Sequence, residues 1–271
     1  METGQKTTEK INKKNTFSII NLTINIGYNE IGFILYDNIE NILLDSHKIT
    51  YTELADVNHI ISKYFSENKQ NGLLNLITVN HYNNLHTVVP KALFDKNNIK
   101  DYLRFNNSLL ENDEYLYDII KDPESVNVFI PIKFNISNLK QYAKVVSQKH
   151  YTTDLINEIH KIEKNNTKSN LYLHINNSKI DIILISKNQL IFINTFDYST
   201  KEDIVYYVLF CYEQLNLNPE NSPIVLAGDF NESTYEMIFK YIRHVSIYKS
   251  KVDLNHKFYS QFKNKLTYNS L

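Results

Sequence analysis

Apolar residues cluster at 17–26 (FSIINLTINI), 31–37 (IGFILYD) and 40–49 (ENILLDSHKI), and short polar turns separate the three runs. Runs of this length, rich in Ile, Leu and Phe and bounded by Asn and Gly, predict three strands in a meander. Asn29-Glu30 and Asn38 supply the turns. Gly27 and Gly32 bracket the first hairpin, where a backbone can bend or approach a ligand closely. The period then changes: Leu54, Val57, Ile60, Ile61, Tyr64 and Phe65 recur at helical spacing. That stripe predicts a helix over 51–67, capped by Thr50 or Thr52. A fourth strand is predicted at 73–79 (LLNLITV).

The same order returns in the second half, with strands predicted at 171–176, 180–186 and 189–196, a helix at about 200–216 and a strand at 223–228. An offset of 149 residues places Asn25 on His174, Ile31 on Ile180, Phe33 on Ile182, Leu35 on Leu184 and Thr50 on Ser199 without a gap. The repeat is therefore one of pattern more than of identity. Between the copies we expect an edge strand at 84–89, a helix-rich stretch over 91–120, a buried strand at 126–132, and helices at 138–147 and 153–164. Three meandering strands, a helix and a fourth strand open a ribonuclease H-like mixed sheet. Two such β-β-β-α-β units give an α/β protein of actin-like ATPase architecture with an interdomain cleft. The expected division is a tail at 1–15, a first domain at 16–135 and a helical connection at 136–168. A second domain at 169–250 and a basic tail at 251–271 complete it.

Composition narrows the functional classes. A chain that is 42% hydrophobic and 22% charged has the balance of a globular protein. A net charge of −1 gives no global field for nucleic acid or an anionic membrane, so nucleic acid is not an expected partner of the fold as a whole. A single cysteine, Cys211, excludes an internal disulfide framework, which fits a reducing, cytoplasmic setting. It stands on the apolar stripe of the second predicted helix and is read as a core residue. No run approaches the length of a membrane-spanning helix, so no membrane insertion is expected.

The runs VPKALFDKNNIKDYLRFN at 89–106, ENDEYLYD at 111–118, VNVFIP at 126–131 and STKEDIVYYVLFCYEQLNLNPE at 199–220 resemble an uncharacterised family of Bacteroidetes-type proteins, domain of unknown function 3822. The likeness spans nearly the whole chain. It implies the actin-like ATPase fold and carries no catalytic residues over. In nucleotide-binding members of that wider superfamily, an Asp-Gly-rich hairpin turn in each half wraps the ATP phosphates, and carboxylates hold Mg²⁺ through water. Here the first turn reads from Asn25 through Gly27 and Asn29 to Gly32, with an amide where the resemblance expects an acid. The second reads His174, Ile175, Asn176, Asn177, Ser178, Lys179, Ile180, Asp181, with no glycine and a His in the leading position. Gly228, in Ala227-Gly228-Asp229, stands for the adenosine-side glycine motif. Asn25, Gly27, Asn29, Asn176, Asn177, Ser178, Lys179 and Gly228 are thus the candidate nucleotide-binding residues. ATP and Mg²⁺ lack motif support, and no catalytic or metal-ligating residue is assigned.

Other constellations are weaker. His81 with His86, and His160 with Glu163, lack a third ligand at metal-site spacing and are read as hydrogen-bonded or solvent-facing. The acidic segment 111–124 is expected to be a solvated helix face. The basic, aromatic stretch 249–271 is either a docked tail or an arm for an anionic partner. The function these features favour is a catalytically inactive actin-like protein that holds a protein partner. The alternatives are a nucleotide-binding switch or slow ATPase, and nucleic-acid binding through the basic tail.

Overall fold

The computed structural model describes residues 19–248, apart from 41, 69–72, 106, 165, 167–168 and 177. Both expected tails, 1–15 and 251–271, lie outside the described residues, as does Asn177. The first half folds as β1 (Ile20–Ile26), β2 (Glu30–Asp37), β3 (Ile42–Thr50), α1 (Asp56–Glu67) and β4 (Leu74–His81). A smaller unit follows: β5 (His86–Pro90), α2 (Ile99–Arg104), β6 (Leu116–Ile120) and β7 (Ser125–Phe129). The chain then returns through β8 (Ala143–His150) into α3 (Tyr151–Glu163). The second half is β9 (Asn170–Asn176), β10 (Lys179–Ser186), β11 (Gln189–Asp197), α4 (Lys201–Gln214), β12 (Ile224–Gly228), α5 (Glu232–Phe239) and β13 (Val245–Ile247).

The two large sheets have the same order, β3-β2-β1-β4-β8 and β11-β10-β9-β12-β13, with the last two strands parallel to the first of their meander. Their hairpins share one register: Asn25 faces Gly32, and His174 faces Asp181, each displaced by the same 149 residues. The duplication is thus present in the pairing as well as in the pattern. A third sheet, β5-β7-β6, belongs to the insert between β4 and β8.

Side-chain alternation explains the layers. Leu22, Ile24 and Ile26 of β1 join Phe33 of β2 and Ile77 of β4 on one face, where Val57, Ile61 and Tyr64 of α1 cover them. Leu171, Leu173, Ile182 and Leu226 meet Ile204, Val208 and Cys211 of α4 in the same way. Cys211 is 1% exposed and burial pushes its thiol up to about 12, so it packs as a small hydrophobe. The opposite face of the second sheet is covered by α3, whose Leu155 and Ile159 pack on Tyr172, Ile183 and Ile185. A helix that follows the first sheet therefore completes the core of the second.

Several expectations are corrected. The first helix begins at Asp56, not 51, and its N-cap, Ala55, offers no side-chain hydrogen bond in place of Thr50 or Thr52. Tyr51 is the reason: its N–H donates to the Asn29 carbonyl at 2.9 Å and its hydroxyl reaches the Gly27 carbonyl, which keeps the chain extended past the hairpin. Among its described residues, the stretch 91–120 holds one short α-helix, two single-turn 3₁₀ segments and strand β6. The helix expected at 138–147 is a 3₁₀ turn at Ile136–Gln141 followed by β8, which pairs in parallel with β4. The segment taken as a helical connection therefore gives the first sheet its fifth strand. Local pattern could not show this, because a lone parallel strand is stabilised by the neighbour it pairs with. The acidic segment 111–124 forms no helix either; it runs through a loop into β6, with Asp113 paired to Lys133 at 3.5 Å. Elements α5 and β13 have no counterpart in the expected topology.

Candidate functional site

The first-hairpin and second-hairpin candidates meet in a cleft between the two large sheets. One cavity of about 170 Å³ is lined by Asn25, Gly27, Glu30, Tyr82 and Asn176, with Ser46 and Lys48 of β3 and Asp229 beyond β12. A second of about 220 Å³ adjoins it, sharing Gly27, Glu30, Tyr82 and Asn176 and adding Asn29, Ser178, Lys179 and Asp197. Six of the eight candidates therefore lie together, and Asn177 is outside the described residues. Gly228 lines neither cavity. Its φ of +92° and the backbone of Ile175 beside it make it a close-approach position between β12 and β9.

The cleft residues are already engaged. Asn25 Oδ1 accepts a hydrogen bond from Asn80 Nδ2 at 3.1 Å. Lys179 donates to Asp197 and lies 5.8 Å from the Tyr28 ring centroid. Asp197 also accepts from Asn84 Nδ2 at 2.8 Å. Glu30 pairs with Lys48 at 2.7 Å. The cavity walls thus carry Glu30, Asp197 and Asp229 against Lys48 and Lys179, and both lysines are held by carboxylates.

Beneath the cleft runs a buried polar network that sequence reasoning missed. Asp181 of β10, 1% exposed, accepts from the Tyr151 hydroxyl at 2.6 Å and the Thr195 hydroxyl at 2.6 Å, and lies 2.8 Å from His174 Nδ1. Thr195 continues to His86 Nε2 at 2.9 Å, and the other nitrogen of His86 lies 3.2 Å from Asn127 Oδ1. Asn127 Nδ2 lies 2.9 Å from both Thr152 and Thr153 Oγ1, and Thr153 donates to Asp118 at 2.7 Å. The chain of contacts ties the second sheet, the insert and the start of α3 into one unit. Its signal in the sequence was confined to polar residues inside otherwise apolar strands, such as Asp181 in IDIILIS and Asn127 in VNVFIPI.

The histidines are part of this framework. His86 and His150 stack with centroids 4.4 Å apart, and burial holds both imidazoles below their usual range. His81, pushed by burial down to about 4, lies 3.0 Å from Gln148 Oε1, and its Nδ1 accepts from the Ile132 N–H at 3.1 Å. His160 Nε2 lies 3.0 Å from the Asn188 carbonyl, and Glu163 accepts from Asn170 and Tyr172. Neither pair stands with a third ligand: among the described residues no three His, Cys, Asp or Glu side chains are grouped to hold a metal ion.

Asp118 joins the insert to α3 by accepting the His150 N–H at 2.8 Å as well as the Thr153 hydroxyl, both on Oδ2. Burial raises its carboxyl to about 6, against the lowering effect of those bonds and of Lys149. The native state therefore keeps this proton to a higher pH than the unfolded chain does. The resulting stability is complete below about pH 4 and is lost as pH rises through about 6. The lowered histidines act in the opposite sense, so a comparison between variants is needed to isolate the effect. Asp118→Asn keeps an acceptor for both donors and cannot titrate. Relative to this variant, the wild type should gain stability as pH falls from 7 to 4, read from urea midpoints across that range. Parallel profiles for the two proteins would show that Asp118 titrates normally.

The comparisons with known proteins follow the same architecture. A Bacteroides thetaiotaomicron protein described as having an actin-like ATPase fold and unknown function superposes with a TM-score of 0.70 at 20% identity, covering 85% of this chain and 91% of that one. A structure described as the PilM-PilN type IV pilus biogenesis complex matches with a TM-score of 0.56 at 9% identity, covering 90% of each chain. At these identities the likeness shows the fold. No curated protein sequence matches the chain. Among the described residues no helix is long and apolar enough to cross a membrane. The family profile described as protein of unknown function DUF3822 matches residues 8–245, and the chain belongs to that family.

Proposed function

We propose that this protein is a catalytically inactive member of the actin-like architecture that serves as a protein-interaction module. The observation that carries the reading is the state of the two positions where the superfamily resemblance expects acids. Asn25 is an amide held by Asn80, and His174 is turned into a buried contact with Asp181. Neither presents a carboxylate to a metal-bound phosphate, and an amide cannot serve as a general base. Lys179, the one cation of the second hairpin turn, is held by Asp197. A nucleotide phosphate entering here would meet Glu30, Asp197 and Asp229, and among the described residues no three His, Cys, Asp or Glu side chains are grouped to hold a metal ion that would offset their charge. The donor set therefore fits Mg-ATP poorly. The PilM-PilN structure supports the reading by analogy, since it is a complex built on the same fold.

Thermal unfolding with and without millimolar ATP or ADP and Mg²⁺ tests the proposal, with inorganic phosphate as the charge control. A ligand at a hundred times its Kd would add about 2.7 kcal/mol to the native state. We expect no nucleotide-specific rise in Tm. A rise that is lost on Asn176→Ala would establish a nucleotide site in the cleft and replace this reading with that of a switch or slow ATPase.

A further inference from the structure

The repeat extends to the backs of the two large sheets. In the second, the face turned away from α4 carries Tyr172, Ile183, Ile185 and, on β12, Val225, and α3 covers it. The offset of 149 residues maps the first three onto Thr23, Ile34 and Tyr36, and Thr78 of β4 stands beside Thr23 as Val225 stands beside Tyr172. The back of the first sheet is buried as well: Thr23 and Ile34 are 5% exposed, Tyr36 3% and Thr78 7%. None of the described helices accounts for this. Helix α1 packs on the opposite face of the same sheet, α2 in the insert, α3 on the back of the second sheet, and α4 and α5 on its front. Strand neighbours shield a side chain only at its flanks, so a tyrosine standing off a sheet keeps its ring in water until another layer covers it. The burial also stops at the margins, since Ser46 of β3 and Val145 of β8, on the same face, are exposed. A helix about 10 Å across covers two to three strands spaced about 4.8 Å apart, which matches a buried strip of this width.

The connectivity names the occupant. Strand β8 is the fifth strand of the first sheet, and the chain passes from it directly into α3, which crosses to the second sheet. Strand β13 is the fifth strand of the second sheet, parallel to β12 as β8 is to β4. The segment after β13 therefore stands where α3 stands in the first copy. Residues 249–271 lie outside the described part of the chain, and their sequence sets Leu254, Phe258, Tyr259, Phe262 and Leu266 on one side at helical spacing, with Lys257 and Lys263 off that side. From Leu254 to Leu266 the stripe has the length of α3, 13 residues.

We propose that residues 254–266 form a helix that docks on the back of the first sheet, over Thr23, Ile34 and Tyr36, as the counterpart of α3. Each half then lends its last helix to the other, and the two crossings hold the halves together. The tail is thereby a part of the fold, with its aromatic rings turned to the sheet and not offered to an anionic partner. This goes beyond the interaction-module reading and stands or falls independently of it.

The test places a photoreactive benzoylphenylalanine at position 262 of the full chain, which keeps an aromatic ring there. Irradiated at high dilution, it should capture a peptide of β1 or β2 from the same molecule. Phe258→Asp with Phe262→Asp, also in the full chain, should lower Tm by about 5 °C or more and let hydroxyl radicals oxidise Tyr36 as readily as Tyr241, which is 54% exposed. Lys257→Glu with Lys263→Glu should change neither reading. The proposal is overturned if the cross-link is absent, falls elsewhere or joins only separate molecules. It is overturned equally if Tyr36 stays protected in the aspartate variant, since another segment or partner would then cover the sheet, or if the lysine variant loses as much as the aspartate one. Should the aspartate variant fail to fold, the cross-link decides.

Discussion

Gly228→Ala should cost about 4 kcal/mol or more and lower Tm by roughly 10 °C, a large loss from the addition of a single methyl group. A Cβ built at this residue would stand 2.1 Å from the Ile175 carbonyl oxygen and 2.9 Å from the Ile175 nitrogen and carbonyl carbon. All three are backbone atoms of the neighbouring parallel strand, so no side chain can swing aside. The φ of +92° adds the ordinary penalty of an L-residue held in the left-handed half of conformational space. Relief requires β12 to move away from β9, and the Asp229 N–H bond to the Ile175 carbonyl, at 2.7 Å, is broken by the same movement. Gly27→Ala is the control. Its Cβ would meet nothing nearer than 3.6 Å, an ordinary contact, and should change stability by about 0.5 kcal/mol or less. Urea unfolding of the two variants measures the contrast. Equal effects would show that the β9–β12 approach is looser than its geometry states.

The two glycines also show what could be read from the chain and what could not. The sequence reads Gly27 as a remnant of a phosphate turn and Gly228 as standing for the adenosine-side glycine motif, because a glycine after a strand permits close approach of something. The sequence does not say of what. At Gly27 the space opens on the cleft, and at Gly228 it is filled by the protein's own backbone. The meanders were legible because their signals are local: period-two apolar runs, Asn-rich turns, and an offset of 149 residues kept through both hairpins. Strand β8 was not, since AKVVSQKH acquires its conformation by pairing with β4 across a gap that includes the whole insert. The site divides in the same way. Asn25, Asn176 and Lys179 could be placed at the cleft by analogy between the halves. That Lys179 is held by Asp197, and that His174 turns to Asp181, depends on contacts between residues with no shared local pattern.

Asp181→Ala should be nearly as damaging as Gly228→Ala, for a reason that lies in hydrogen bonding. The carboxylate is 1% exposed and serves Tyr151, Thr195 and His174. Its removal leaves the buried Tyr151 hydroxyl without its acceptor, takes one of two partners from the Thr195 hydroxyl and takes a partner from the buried His174 imidazole, a loss of about 3–5 kcal/mol. The direction of the bonds matters. Tyr151 opens α3, which follows the first sheet, whereas Asp181 lies in the middle of the second, so this bond fixes how the two halves meet. Tyr151→Phe keeps the ring stacked on Tyr82, whose centroid is 4.2 Å away, and deletes only the hydroxyl; it should cost about 1.5–3 kcal/mol. In the double variant the phenylalanine has no acceptor left to miss, so the two losses should fall short of additive by about 0.5–3 kcal/mol. A cycle of urea midpoints on the four proteins reads this coupling. Strict additivity would mean that Tyr151 and Asp181 stabilise the fold independently, and the junction of the halves would then rest on the apolar contacts of Leu155 and Ile159.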